Sequence, residues 1–356
     1  MHAATFFDGE GWRDGILDSD GERMLLRDEP PASDLPRLEG AVVGGFTDHH
    51  VHLQLVDRLL LQESTLGRVT DLGANPSVVA ALSARLRGAR RASADSSGAS
   101  NASESTFSGA FLAPRGPLAP HPTPHPVSVD FAGAFLTPVG GYPSDRAWAP
   151  VGCFREIPDA AAAARAVTEM ADAGASCIKV ASNATAGPVF DDHLFRVIVE
   201  AAAARGLPVV AHAEGAGQAQ RAARLGAAIL AHAPFTEHLD DAEIAAQAAS
   251  VEWISTLAIH DVDSEARATA IDNVRRFHAA GGAVLYGTDM GNGPTPVDLN
   301  SAELEALREA GIDGDALLRA LAPQNPLDSP SLLLRLPGTA AAPALARPLT
   351  SADLKA

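Results

Sequence analysis

The sequence predicts an α/β chain folded as a (β/α)8 TIM barrel, with a small, reduced β appendage built from the N- and C-terminal segments. Three observations predict it. From residue 41 onward, short apolar runs alternate with amphipathic stretches, the rhythm of βα units around a parallel sheet. Eight such pairs can be counted, the number that closes a barrel. Several of the amphipathic stretches end on a glycine just before the next apolar run, at Gly174, Gly206, Gly226 and Gly281, where a helix terminus favours a left-handed residue.

Taken in order, strands are expected at 41–51, 68–73, 128–137, 176–181, 207–212, 227–232, 251–259 and 282–288. Each is a near-continuous apolar run, as buried parallel strands are. Helices are expected after them at about 54–64, 76–92, 157–173, 189–205, 216–225, 239–249, 265–280 and 300–310. Residues 1–40 break the rhythm. They are rich in Gly, Asp and Pro, with short runs such as Ala4–Phe7 and Met24–Arg27, and read as two or three small strands outside the barrel. The Pro- and Ala-rich tail from Pro326 is expected to return to the same sheet. The domain reading is therefore an appendage at 1–40 with part of 326–356, and a barrel at 41–325. Within the barrel, residues 92–106 are small and polar and cannot build a core, and residues 115–126 are rich in proline. A long loop at about 93–127 is expected. It links a helix to a strand and so belongs on the face opposite the chemistry. Of the near-repeats at 107–114 and 131–138, the second reads as the third strand.

Composition sets limits on function. The chain has 356 residues, 46% of them apolar and 20% charged, with a formal net charge of −17. Such an acidic balance disfavours nucleic-acid and anionic membrane partners. It leaves a small-molecule substrate as the expected partner, and a homo-oligomer is allowed. Two cysteines, Cys153 and Cys177, imply no disulfide framework. The first twelve residues carry no basic start and no apolar core of a signal peptide, and no apolar run is long enough to span a bilayer. A cytoplasmic protein is expected.

The chemistry concentrates at the ends of the apolar runs. The first strand closes on Thr47-Asp48-His49-His50-Val51-His52. Side chains two apart on a strand share a face, so His50 and His52 are placed to bind one metal ion, with Asp48 beside them. An isolated H-x-H reads more readily as two solvated histidines. Here, however, the fifth strand ends on His212, the sixth on His232 and the eighth on Asp289. The C-terminal ends of barrel strands meet on one face, where active sites sit, and four strands repeating the pattern is improbable by chance. Lys179 lies within the apolar run Cys177–Ala181. It reads either as a lysine reaching past the strand end to solvent or as one carboxylated by CO2 into an anion that bridges two metals. Tyr142 and His260, after the third and seventh strands, are candidate substrate contacts; Tyr142 reads equally as an ordinary loop residue, while His260 reads slightly better as a mouth residue than as a solvated loop histidine. Arg146 and Arg155 read better as surface arginines, His121 and His125 as loop histidines, and Glu214 as a minor candidate for a nearby acid.

The order of these residues resembles the amidohydrolase superfamily. RVTDLGANP at 68–76, GGYP at 140–143, GASCIKV at 174–180, HAEG at 212–215 and YGTDMG at 286–291 are similar to the subgroup of imidazolonepropionase-related proteins and dipeptidases. The resemblance covers about residues 41–325. It implies that His50, His52 and Asp289 hold an inner metal and His212 and His232 an outer one. It also implies two zinc ions bridged by carboxylated Lys179 and a hydroxide, with Asp289 as the catalytic base and then acid. The expected activity is hydrolysis of an amide or cyclic-amide C–N bond. The same site would serve a phosphotriesterase or lactonase, a mononuclear imidazolonepropionase- or deaminase-like enzyme, or a non-catalytic metal-binding scaffold. The tail LARPLTSADLKA lacks the family's closing G-x-x-A-D pattern, and ALAPQNPLDS at 320–329 departs from its Asn-Pro-Ala helix.

Overall fold

The computed structural model describes residues 1–20, 23–95, 127–328 and 331–355; the segment 107–114, His121 and His125 lie outside them. The chain begins with β1 (His2–Phe7), β2 (Trp12–Asp20) and β3 (Arg23–Arg27), which form an antiparallel meander, and β4 (Arg37–Gly44), which adds to β1 in parallel. Alternation directs Ala4, Phe6, Leu17, Leu26 and Val42 into a small core of their own.

At Gly44–Gly45 the chain leaves this sheet. The expected strand 41–51 is in fact two strands, β4 and β5 (Phe46–Val51), belonging to different sheets. The break is a close crossing of backbones. The amide of Gly45 donates to the Leu332 carbonyl at 2.7 Å, and its carbonyl accepts from Gln324 N at 2.8 Å. A Cβ at Gly45 would lie 2.7 Å from the Gly67 Cα. An apolar run that is continuous in sequence conceals this change of sheet.

The barrel is laid down as two arcs. The first joins β5 to β6 (Leu66–Asp71) and, after α1 (Pro76–Asp95), to β7 (Ser128–Phe131), all parallel. The second contains β8 (Phe135–Thr137), β9 (Phe154–Glu156), β10 (Ile178–Asn183), β11 (Val209–Glu214), β12 (Ile229–Leu230), β13 (Glu252–Ile254) and β14 (Val284–Leu285). Between these run α2 (Ala160–Asp172), α3 (Asp192–Ala203), α4 (Gln218–Arg224), α5 (Asp241–Ala248) and α6 (Glu265–Ala279); α7 (Ser301–Glu309) and α8 (Gly314–Ala320) follow β14. Hydrogen bonds stitch the arcs at both seams. Ser176 N donates to Phe131 O at 2.8 Å on one side; on the other, His49 N donates to Tyr286 O at 3.0 Å and Val51 bridges to Met290. The parallel strands of the two arcs make the mixed α/β barrel expected from the sequence.

Several expected elements are shorter or divided. Residues 128–137 split into β7 and β8 around Gly133, which has a φ of 77°. The helix expected at 54–64 is a 3-10 turn, Arg58–Glu63, and the end of 251–259 is another, Leu257–Ile259. The tail does return to the first sheet. β15 (Leu333–Leu336) pairs antiparallel with β4, and β16 (Arg347–Pro348) pairs with β15, giving the order β16-β15-β4-β1-β2-β3.

The large core lies between the strands and the surrounding helices, with Trp253 stacked on Phe277 at 3.8 Å. A separate apolar layer fills the barrel itself, made by Leu72, Ala132, Cys177, Val210, Ala231 and Ile254. This layer positions the site. Side chains two residues further along β10 and β11 point the same way, which sets Lys179 above Cys177 and His212 above Val210.

Candidate metal centre

β5 and its end place His50 and His52 in the barrel mouth, where both are buried. Each ring is tethered by Nδ1, to Ala231 O at 2.8 Å for His50 and to Gly73 O at 3.3 Å for His52. A carbonyl only accepts, so Nδ1 carries a proton in each ring; in His50, which burial holds well below the ordinary histidine value, that leaves Nε2 with its lone pair. Both Nε2 atoms face Asp289 Oδ1, at 3.3 and 3.1 Å. These approaches lack hydrogen-bond geometry, and Asp289 Oδ1, although buried, has no hydrogen-bond partner among the described residues. The three ligand atoms lie within 4.8 Å of one another. Asp289 itself has a φ of 54°, a conformation aspartate tolerates better than most residues. Its other oxygen accepts from Asn292 Nδ2 at 2.8 Å. Burial opposes its charge, but the imidazoles of His50, His52 and His232 outweigh it and hold the carboxyl well below the usual range.

The remaining candidates stand around this cluster. The rings of His50 and His232 are 4.8 Å apart and those of His232 and His212 4.9 Å. Burial and the neighbouring His50 and His212 keep His232 well below the ordinary histidine value. Its Nδ1 meets the Thr256 hydroxyl at 2.9 Å. Lys179 is 1% exposed, and its Nζ is buried without a hydrogen-bond partner among the described residues; Phe135 lies beside it, its ring centre 5.7 Å away. Burial pulls its amine down to about 7. It does not reach past the strand end to solvent.

Beside them lies a cavity of about 140 Å³ whose walls include His52, His212, His232 and Asp289, with Tyr142 and Phe235 among the aromatic sides. Tyr142 stacks on His212 at 5.1 Å. Burial pushes its phenol well above the usual value, and the charges of Asp289 and Glu214 add to that. His260 stands behind the wall, its ring 4.6 Å from that of Phe235. Asp48 does not face the cavity cluster. It accepts from His50 N at 3.0 Å and from the Thr288 hydroxyl at 2.6 Å, tying β5 to the segment after β14, and burial raises it to about 7. Arg155 pairs with Glu169 at 2.7 Å on the outside, and Arg146 sits over the Tyr142 ring at 5.6 Å.

Glu214 has more weight than the sequence suggested. It borders the cavity and contacts His212 Nε2 at 3.2 Å, Asn183 Nδ2 at 2.7 Å and Thr185 Oγ1 at 2.8 Å. The His212 contact, ahead of the hydroxyl and amide donors, keeps it ionised below the ordinary glutamate range. Asp71 was missed altogether: it accepts from Leu53 N at 2.7 Å and Gly73 N at 3.0 Å, holding the chain just beyond His52. The phrase RVTDLGANP contained it, but nothing local distinguished it from a turn aspartate.

Solved structures of similar fold include a Xaa-Pro dipeptidase with bound methionine, with a TM-score of 0.65, 17% identity, and coverage of 95% of this chain and 93% of that one. The A. niger ochratoxinase aligns with a TM-score of 0.62 and 14% identity over 95% of this chain and 90% of its own. A structure described as an amidohydrolase aligns at 0.59 and 16% identity over 96% and 92%. The chain has the amidohydrolase fold. No family model matches the sequence, and no curated protein does. Within the amidohydrolase fold, the His50, His52 and Asp289 cluster sits at the C-terminal mouth of the strands. Among the described residues, no helix is long and apolar enough to cross a membrane.

Proposed function

We propose that this chain is a metal-dependent hydrolase of a C–N bond, an amide or cyclic amide, working at two divalent ions of which zinc is the first choice. The observation that carries the reading is the cluster of His50, His52 and Asp289 at the barrel mouth, with Asp289 Oδ1 and Lys179 Nζ both buried and without a hydrogen-bond partner among the described residues. Buried polar groups are otherwise satisfied, and nitrogen-rich ligand sets suit zinc. His50, His52 and Asp289 would hold one ion, and His212 and His232 the other. Lys179, whose amine is partly neutral at pH 7, has the form that would react with CO2, its nitrogen bonding to the carbon and losing a proton, and the resulting carbamate would supply a further anionic oxygen ligand. Bound ions of this type acidify a water and polarise a carbonyl.

The protein's own groups divide the remaining work. Asp289, kept anionic by the imidazoles, is placed to accept a proton from an attacking water and return it to the leaving nitrogen. Tyr142 stays protonated and can donate a hydrogen bond to a substrate oxygen from the cavity wall. Phe135, Phe235 and Tyr142 offer apolar surface to the flanking part of a small molecule. The fold neighbours add support, since a dipeptidase and an amidohydrolase are among them.

The test is metal content and turnover together. Protein expressed with added zinc should carry between one and two equivalents and hydrolyse some member of an amide, N-acyl amino acid and dipeptide panel. His50→Ala should lose both metal and at least about 100-fold of the activity. Full metal loading with no turnover across amides, lactones and phosphotriesters would leave a metal-binding scaffold instead.

A further inference from the structure

Glu303 is a carboxylate on the first turn of α7 with no solvent exposure, and nothing in the site just described uses it. Its Oε2 accepts from Ala258 N at 2.6 Å, inside the 3-10 turn Leu257–Ile259 that follows β13. The first N–H groups of any helical turn have no partner within it and are ordinarily capped by the preceding side chain. Here the preceding residue is Thr256, and its side chain makes no capping bond. Its hydroxyl is engaged 2.9 Å away on His232 Nδ1. Thr256 also has a φ of 43°, an outlier for a β-branched residue. Such a conformation persists where the surroundings enforce it, and it is a reason to look for function. Its amide is pinned to Gly287 O at 3.1 Å, and Ser255 N to Leu285 O at 2.8 Å.

We propose that Glu303 is a positioning residue for His232: it supplies from α7 the cap that Thr256 gives up, and so frees the Thr256 hydroxyl to hold the imidazole by Nδ1 with Nε2 as the ligating nitrogen. His50 and His52 are held through Nδ1 by backbone carbonyls; His232 is held by a hydroxyl on a strained turn, and that turn needs an anchor. Ile259, at the end of the same turn, lines the cavity, so the anchor also sets part of the substrate wall.

The inference rests on the two-metal reading above and predicts an asymmetric effect. In calorimetric titration of the metal-free protein with Zn2+, and in Co2+ absorption spectra, wild type should show two binding events. Glu303→Ala should weaken the His212/His232 site about 10- to 100-fold and leave the His50/His52/Asp289 site unchanged. Glu303→Gln, which keeps an accepting oxygen, should restore most of that loss. Thr256→Val should reproduce the Glu303→Ala pattern, while Thr256→Ser should not, and this pair serves if Glu303→Ala fails to fold. Equal weakening of both sites, or none in either, in a folded variant would overturn the proposal. A wild type that binds no metal would overturn the site reading itself.

Discussion

A lysine buried without a partner costs stability, and the cost has a pH dependence that can be measured on Lys179. Its folded amine titrates near 7 against 10.5 when free. Between those values the unfolded chain binds more protons than the folded one, so the stability of the metal-free protein should rise with pH across that window. Below about 7 the penalty is fully present; above 10.5 it is gone. Lys179→Met should remove the rise, raising the metal-free melting temperature more at pH 6 than at pH 10. The difference corresponds to about 1.4 kcal/mol per pH unit at most. The same variant should lose most metal and turnover at neutral pH while remaining folded. Unchanged metal content would mean that Lys179 bridges nothing, and that one ion held by His50, His52 and Asp289 is the working site. Glu303 has the opposite sign. Burial raises it from 4.5 to about 7, so its share of stability is present below pH 4.5 and lost as pH rises through 7. Glu303→Gln should flatten the stability profile across that interval.

At the scale of elements, the Gly44–Gly45 crossing is the sharpest constraint. Gly45→Ala would drive a Cβ to 2.7 Å from the Gly67 Cα and 3.0 Å from the Leu332 Cβ, and backbone cannot yield as a side chain does. A loss of about 1–3 kcal/mol is expected, read from the urea midpoint; a loss under about 0.5 kcal/mol would mean that the two backbones part easily. This crossing also shows what a sequence hides. The barrel strands were legible because buried parallel strands are apolar throughout, and the histidine and aspartate candidates stood out because each closes such a run, whereas Lys179 lies inside one. Residues 41–51 satisfy the same pattern while crossing from one sheet to another, since both halves are buried. Thr256, Glu303 and Asp71 were not legible. Their roles come from contacts between loops and distant helices, and 45 residues separate Ala258 from the carboxylate that caps it. Glu214 was visible but undervalued, because its partners Asn183 and Thr185 arrive from β10 and the loop after it.

For the whole molecule, the consequence of the proposed centre is a cross-link. His50 comes from β5, Lys179 from β10, His212 from β11, and His232 and Asp289 from the segments after β12 and β14. Ions held by this set would tie together strand ends around the mouth, including both sides of the Val51–Met290 seam, where the two arcs meet through few hydrogen bonds. A ligand that binds only the folded state stabilises by mass action, about 2.7 kcal/mol at a concentration 100 times its dissociation constant. Chelation should therefore lower the melting temperature by several degrees, and wild type should lose far more than His50→Ala does. The position of the effect matters more than its size. Amide hydrogen exchange should speed up on chelation at residues 47–52 and 286–291, and along the ends of β10 and β11. The outlying sheet of β1, β2 and β3 packs around a separate core and should exchange at its former rate. Loosening spread evenly over both sheets would point to a general effect of metal on the folded state, and would count against ions held across the seam.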